Sequence, residues 1–107
     1  DQTYTVVDGK PEFCVVTSAQ REQGEQGKPG HVPATPRNDG NTFKARWARA
    51  RELGVSTVLV VAWNEFHTWE CQERADLNKD IEPTVENGDF YLRLMKEEIG
   101  KFKTPAP

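Results

Sequence analysis

The sequence has no long hydrophobic run, and its charge is not weighted towards basic residues. A membrane-spanning helix needs about 18 consecutive apolar residues, and no stretch of this chain approaches that length. Asp1 begins no signal peptide. The formal net charge is −3, so the basic footprint of a nucleic-acid-binding domain is not indicated. We therefore expect neither a membrane nor a nucleic acid as a partner.

Cysteine is also scarce, with Cys14 and Cys71 the only two. Cys14 lies inside one predicted strand, and Cys71 lies beyond the far end of the next. If these strands are parallel, the two residues lie at opposite ends of the sheet. A disulfide needs Cα atoms within about 7 Å of each other, so two free thiols are predicted.

Residues 57–63 form the most apolar stretch, a Val-rich run that gives way to polar residues within one position. Such a run predicts a strand buried on both faces, as in a parallel sheet covered by helices. Residues 12–19 predict a second buried strand, because both of their alternating faces are apolar or small. Residues 1–10 carry the turn pair Asp8-Gly9 and read mainly as a connection, with an edge strand as the alternative.

One amphipathic helix is predicted after each strand. Residues 41–53 place Phe43, Trp47 and Ala50 on one face, and Gly54 is a stop signal. This helix can be capped by Asn38, Asp39 or Asn41. Its basic residues are expected on a solvated exterior: Lys44, Arg46, Arg49 and Arg51. Residues 89–103, with Asn87 or Asp89 as the cap, carry a second apolar stripe: Phe90, Leu94, Met95, Ile99 and Phe102.

The order strand, helix, strand, helix predicts an α/β fold built from two consecutive βα units. Two parallel strands cannot close a sheet or cover both of its faces, so we expect the chain to be a fragment of a larger domain. Residues 21–38 are rich in Gly and Pro and form a long loop after the first strand. This loop either walls one side of a cleft or is a surface excursion.

Glu65 follows the apolar strand directly, between the aromatic residues Trp63 and Phe66 and next to Asn64. Polar residues at the C-terminal end of a buried parallel strand are typical of active sites. A carboxylate among aromatic rings is partly desolvated, which suits it to proton transfer near neutral pH. The alternative is a glutamate that caps a loop or pairs with an arginine.

Sugar-cleaving sites combine aromatic faces, amides and paired carboxylates. Glu70 is near enough in sequence to converge with Glu65 across one loop. Other carboxylates stay open as the second group: Glu73, Asp76, Asp80, Glu82 and Glu86. His67 either holds a substrate hydroxyl or packs within the loop.

No metal or cofactor is predicted. His67, Glu70 and Cys71 do not make a metal site at an obvious spacing. The run from Asp76 to Asp80 begins like a calcium loop, but Ile81 stands where an EF-hand needs glycine. An irregular calcium site there is the remaining alternative.

Three ordered blocks resemble a known family: Trp63-Asn64-Glu65-Phe66, Ile81-Glu82-Pro83-Thr84 and Gly88-Asp89-Phe90-Tyr91-Leu92. The pattern is similar to that of the endo-α-mannosidase-like (β/α)8 glycoside hydrolases and related polysaccharide-biosynthesis domains, over most of residues 12–102. The resemblance implies that residues 1–107 are the C-terminal portion of one such TIM-type barrel, its last two βα units. It also implies that Glu65 is the base beside the sugar, and Thr68 stands where the family has its acid.

The resulting expectation is a glycoside hydrolase that acts on a polysaccharide or glycan, with Glu65 as base or nucleophile and Glu70 as acid. The aromatic walls would be Trp63, Phe66 and Trp69. Asn64, His67 and Gln20 would hold sugar hydroxyls, and Tyr91 would line the site. Expected partners are the saccharide and the remaining barrel segment, and the resemblance favours a secreted or periplasmic location. A non-catalytic glycan-binding or scaffold barrel, and an unrelated α/β domain, are the alternatives.

Overall fold

The computed structural model describes residues 2–20, 22–63, 79–84 and 87–104. Within them the chain forms three strands, two α-helices and one short 3-10 turn at Asn38–Gly40. The strands are β1 (Tyr4–Val7), β2 (Lys10–Thr17) and β3 (Thr57–Val61). The helices are α1 (Asn41–Leu53) and α2 (Phe90–Lys103).

The strands form one mixed sheet in the order β1-β2-β3. β2 and β3 are parallel, in a register that pairs Phe13 with Thr57 and Thr17 with Val61. The parallel pairing predicted for these strands is confirmed. β1 is antiparallel to β2 and joined to it by Asp8-Gly9, whose φ angles are 50° and 78°. Two positive φ angles match the right-handed twist of a tight hairpin, which the Asp-Gly pair tolerates.

The prediction of the last two βα units of a (β/α)8 barrel is wrong. Such a barrel is built from eight parallel strands. In this chain the edge of β2 away from β3 is occupied by the antiparallel strand β1. Over the described residues, a three-stranded mixed sheet with two helices is a small α/β arrangement and not part of an all-parallel barrel. Without a barrel, the expectation that a remaining barrel segment is a partner is also withdrawn.

The hydrophobic core lies between the sheet and the two helices. Cys14 and Val16 of β2 are fully buried beneath α1, which contributes Phe43, Trp47 and Ala50. The predicted apolar face of α1 is thereby confirmed. Aromatic rings meet edge-to-face across this layer, as in the Phe43–Trp47 pair with ring centroids 6.2 Å apart. The buried Cys14 thiol is free, as predicted, while Cys71 lies outside the described residues.

The two ends of α1 are stabilised by glycines. Gly54 has φ 71°, and its N–H donates to the carbonyls of Ala50 and Arg51, so the predicted stop is confirmed. At the other end the capping residue is Gly40, with φ 89° and no side-chain hydrogen bond. The predicted caps from neighbouring Asn and Asp side chains are therefore wrong. Neither described α-helix is long and apolar enough to cross a membrane.

A buried carboxylate ties the C-terminal end of α1 to α2. The Glu98 side chain is 2% exposed and accepts hydrogen bonds from Arg51 Nη1 at 2.8 Å and Lys101 Nζ at 3.0 Å. Burial raises the pKa of Glu98, but the hydrogen bonds and positive charges of Arg51 and Lys101 outweigh it and leave the pKa below the ordinary value. Glu98 thus replaces an apolar residue in the buried stripe predicted for α2.

We expect Gly40→Ala to cost more stability than Gly54→Ala. Alanine in the left-handed region costs about 1–2 kcal/mol at either position. At Gly40 a Cβ would also lie 2.9 Å from the Phe90 ring and 3.0 Å from Leu94, whereas at Gly54 nothing lies within 4 Å. Crowding of this kind adds about 1–3 kcal/mol. Urea unfolding measures both variants, and equal losses would mean that the Phe90 ring swings aside freely.

We expect Glu98→Gln to lower the free energy of unfolding by about 1–3 kcal/mol at pH 7, because hydrogen bonds to charged groups are lost. The folded-state pKa of Glu98 is lowered, so the stabilisation is fully present above the ordinary carboxyl pKa and disappears as pH falls through the folded value. Wild type should therefore lose more stability than the variant between pH 7 and pH 3. Glu97→Gln, at the exposed neighbouring position, is the control. Parallel pH profiles for wild type and Glu98→Gln would contradict the assignment.

Candidate functional site

The carboxyl ends of β2 and β3 lie side by side, because the parallel register pairs Thr17 with Val61. The residues that follow both strands therefore leave from the same edge of the sheet. Gln20 follows β2, and Trp63 follows β3 with 49% of its surface exposed. Two residues predicted from the sequence as substrate-binding thus lie beyond the same edge.

Backbone hydrogen bonds connect the end of β3 to a segment that lies much later in the chain. Ala62 N donates to the Lys79 carbonyl at 3.2 Å, and Ile81 N donates to the Ala62 carbonyl at 3.0 Å. Glu82 N donates to the Trp63 carbonyl at 3.0 Å. Since Ile81 is 2% exposed, this segment is anchored in the core directly beside the strand end.

Arg37 also anchors the segment of residues 79–82. Its side chain is buried and donates from Nη2 to the Asp80 carbonyl at 2.8 Å. The guanidinium carbon also lies 4.3 Å above the ring centroid of Tyr91, a cation–π arrangement. Burial raises the pKa of the Tyr91 phenol, and the nearby charge of Arg37 opposes that rise. Tyr91 is 4% exposed and packs in the core. Its predicted role in substrate binding stays a prediction.

The loop after β2 is held as a narrow, hydrogen-bonded excursion. Gln20 and Thr35 exchange two backbone hydrogen bonds of 2.8 and 2.7 Å, and Gln23 and Val32 exchange two of 2.9 and 2.8 Å. Gln20 and Gln23 both line a cavity at this edge of the sheet. Gln23 lines this cavity, whereas residues 22–30 are exposed, so the role of the loop as a wall of a cleft stays a prediction.

This cavity, which we call the edge cavity, has a volume of about 270 Å³. Part of its lining is apolar and consists of Val15, Ala19 and Val61. Its uncharged polar lining consists of Gln2, Thr3, Thr17, Gln20 and Gln23. Its charged lining within the described residues consists of two cations, Arg46 and Lys79, and no carboxylate.

Arg46 connects α1 to the end of β2. Its Nη1 atom donates to Thr17 Oγ1 at 3.0 Å and to Gln20 Oε1 at 3.2 Å. Its backbone carbonyl accepts a bond of 2.9 Å from Gln2 Nε2. Partial burial lowers the pKa of Arg46, yet an arginine stays charged in such a setting.

The sequence placed Arg46 on a solvated exterior and missed this role. A signal was present, because Arg46 follows the buried Phe43 by three residues and precedes the buried Ala50 by four. Residues three and four apart are neighbours on a helix surface, so Arg46 borders the buried stripe.

Most of the predicted chemistry lies outside the described residues: Asn64, Glu65, Phe66, His67, Trp69 and Glu70. The same is true of residues 76–78 in the possible calcium loop, while Asp80 is 1% exposed. In the described part of the chain no group of three His, Cys, Asp or Glu side chains could hold a metal ion.

A larger depression of about 1020 Å³ lies at the opposite end of the molecule. It is formed by the C-terminal ends of α1 and α2 together with Val55 and Ser56, which precede β3. Its lining within the described residues includes none of the predicted site residues Gln20, Trp63 and Tyr91.

Comparisons with family models, with curated proteins and with solved structures find no match to this chain.

We expect Arg37→Lys to lower the free energy of unfolding by about 2 kcal/mol, because the flat stack on Tyr91 and the hydrogen bond to Asp80 are both lost. Amide hydrogen exchange of residues 79–84 should accelerate most. Arg93→Lys is the matched control, since Arg93 is exposed and its ion-pair partner among the described residues is the exposed Asp89. Equal exchange rates in both variants would show that Arg37 does not anchor this segment.

Proposed function

We propose that the sheet edge formed by the ends of β2 and β3 binds a saccharide and that the protein hydrolyses its glycosidic bonds. The observation that carries the proposal is the parallel register of β2 and β3. It brings the half-exposed Trp63 ring and the edge cavity to one end of the sheet. Glycan sites combine an aromatic face that stacks on the sugar ring with polar groups that bind hydroxyls.

The edge cavity supplies polar groups suited to sugar hydroxyls. Gln20 Oε1 already accepts a bond from Arg46, so its amide nitrogen can donate to a ligand. Gln23 and Thr17 add further donors and acceptors. The wall is held by backbone hydrogen bonds of 2.7 to 2.9 Å at Gln20 and Gln23, which limits how much of it must be ordered when a ligand binds.

The chemistry is assigned to two glutamates from the sequence. Glu70 is the acid and donates a proton to the glycosidic oxygen as the bond between that oxygen and the anomeric carbon breaks. Glu65 is the base and accepts a proton from the water whose oxygen attacks the anomeric carbon. In the alternative with Glu65 as nucleophile, its carboxylate attacks first and water later displaces it. Glu70 takes the acid role because Thr68 stands where the resembled family has its acid.

We expect Glu65→Gln to lower the rate of hydrolysis by about 10²–10⁴-fold, the usual contribution of a positioned acid or base. The variant should keep its circular dichroism spectrum and its affinity for saccharides. The measurement is product formation from reducing-end-labelled oligosaccharides of defined linkage, followed by mass spectrometry. Glu25→Gln, in the exposed loop, is the control with the same change of charge.

Unchanged turnover in Glu65→Gln would exclude Glu65 from the mechanism. Calorimetric binding without product on prolonged incubation would favour the non-catalytic glycan-binding alternative. Absence of binding across neutral and acidic oligosaccharides would overturn the carbohydrate proposal altogether.

A further inference from the structure

The charged lining of the edge cavity is positive over the described residues, in a protein whose net charge is negative. The formal net charge of the chain is −3, yet the charged side chains that line the cavity within the described residues are Arg46 and Lys79. Two cations around a volume of about 270 Å³ produce a local potential that favours an anionic group.

These two cations are not neutralised by the described part of the protein. The ion pairs found there join other groups, and none includes Arg46 or Lys79. On the loop, His31 Nε2 and Glu22 Oε2 contact each other at 2.9 Å. A partly buried cation without a counter-ion costs free energy, which a bound anion would recover.

Arg46 also has N–H donors that make no hydrogen bond with the described residues. Its two bonds, to Thr17 and Gln20, both start from Nη1, whereas a guanidinium has five N–H donors. Among the described residues, Trp47 Nε1 is the one buried side-chain polar atom without a hydrogen-bond partner. The Nε and Nη2 atoms of Arg46 are therefore accessible to the cavity or to solvent, in the fork geometry that suits a carboxylate.

We infer that the edge cavity is a subsite for the carboxylate of an acidic sugar, held by Arg46 and Lys79. The identity of the molecule that carries the carboxylate rests on the proposed carbohydrate function. Arg46 provides the bidentate contact, with its position set by Thr17 and Gln20. Lys79 provides a second charge from the segment bonded to the end of β3. A saccharide containing uronic acid residues is thus preferred over its neutral counterpart.

Calorimetric titration of the complete chain with a glucuronate-containing oligosaccharide and with the matching glucose oligosaccharide tests the inference. We expect the acidic ligand to bind at least about tenfold more tightly, with the difference shrinking as sodium chloride is raised. Sodium acetate and sodium sulfate, titrated alone, report whether a carboxylate or any small anion is enough.

Lys79→Gln is the informative variant. Only the backbone of Lys79 takes part in the hydrogen bonds to the end of β3, and glutamine preserves that backbone. We expect this variant to lose about tenfold in affinity for the acidic ligand and nothing for the neutral one. Lys96→Gln makes the same charge change on the exposed face of α2 and should leave both affinities unchanged.

Arg46→Lys keeps the charge and removes the planar guanidinium, and should weaken binding of the acidic ligand more than binding of the neutral one. Equal binding of acidic and neutral ligands, or a Lys79→Gln variant identical to wild type, would overturn the acidic subsite and leave the carbohydrate function standing. Absence of binding by either oligosaccharide would overturn that function and the subsite together.

Discussion

The parallel pairing of β2 with β3 is the constraint on which the rest of this structure depends. Two parallel strands cannot be joined by a tight turn, so the chain must travel from the end of one to the start of the other. The loop after β2 and helix α1 form this connection, and α1 covers the buried face of the sheet. The same pairing directs both carboxyl ends to one edge, where the exposed Trp63 and the edge cavity are found.

Three arginines connect elements that are far apart in sequence. Arg37 reaches Asp80, Arg46 reaches Thr17, and Arg51 reaches Glu98. A planar guanidinium can stack on a ring and donate in several directions at once, which lets one side chain bridge a helix end and a loop. The pairs differ in whether the positive charge of the arginine is neutralised by its partner. Arg51 finds a full carboxylate, whereas Arg46 finds two neutral oxygens and keeps its positive charge available.

The regular elements that local patterns announce were largely predictable. The stripe of α1 buries the residues that its periodicity indicates, and Gly54 ends α1. The prediction that β2 and β3 are buried on both faces is wrong, because only Cys14 and Val16 of β2 are buried and Leu59 of β3 is 48% exposed. Residues 1–10 were interpreted mainly as a connection, and the alternative of an edge strand is the one found, as β1. The four residues of β1 are all exposed and carry no burial pattern. Glu98 escaped because a carboxylate in an apolar stripe is stabilised by partners that lie on another helix or a turn away.

The barrel prediction failed for a related reason. The resemblance to the endo-α-mannosidase-like family rests on short blocks such as Trp63-Asn64-Glu65-Phe66, which describe one stretch of chain and not the neighbours of a strand. The strand beside β2 on the side away from β3 is β1, and the local hairpin at Asp8-Gly9 makes that edge antiparallel. A motif and a fold are therefore separate questions in this protein.

The amino-acid sequence by itself determined where the two helices and the two parallel strands lie, because periodicity, turn pairs and glycine stops act over a few neighbouring residues. It also determined which chemical groups follow the strands. Only the tertiary structure decided that the sheet is mixed, that Arg46 faces a cavity with Lys79, and that Arg37 stacks on Tyr91. The residues of the Arg46–Lys79 and Arg37–Tyr91 pairs lie more than thirty positions apart, and no local rule specifies which distant partners will meet when the chain packs.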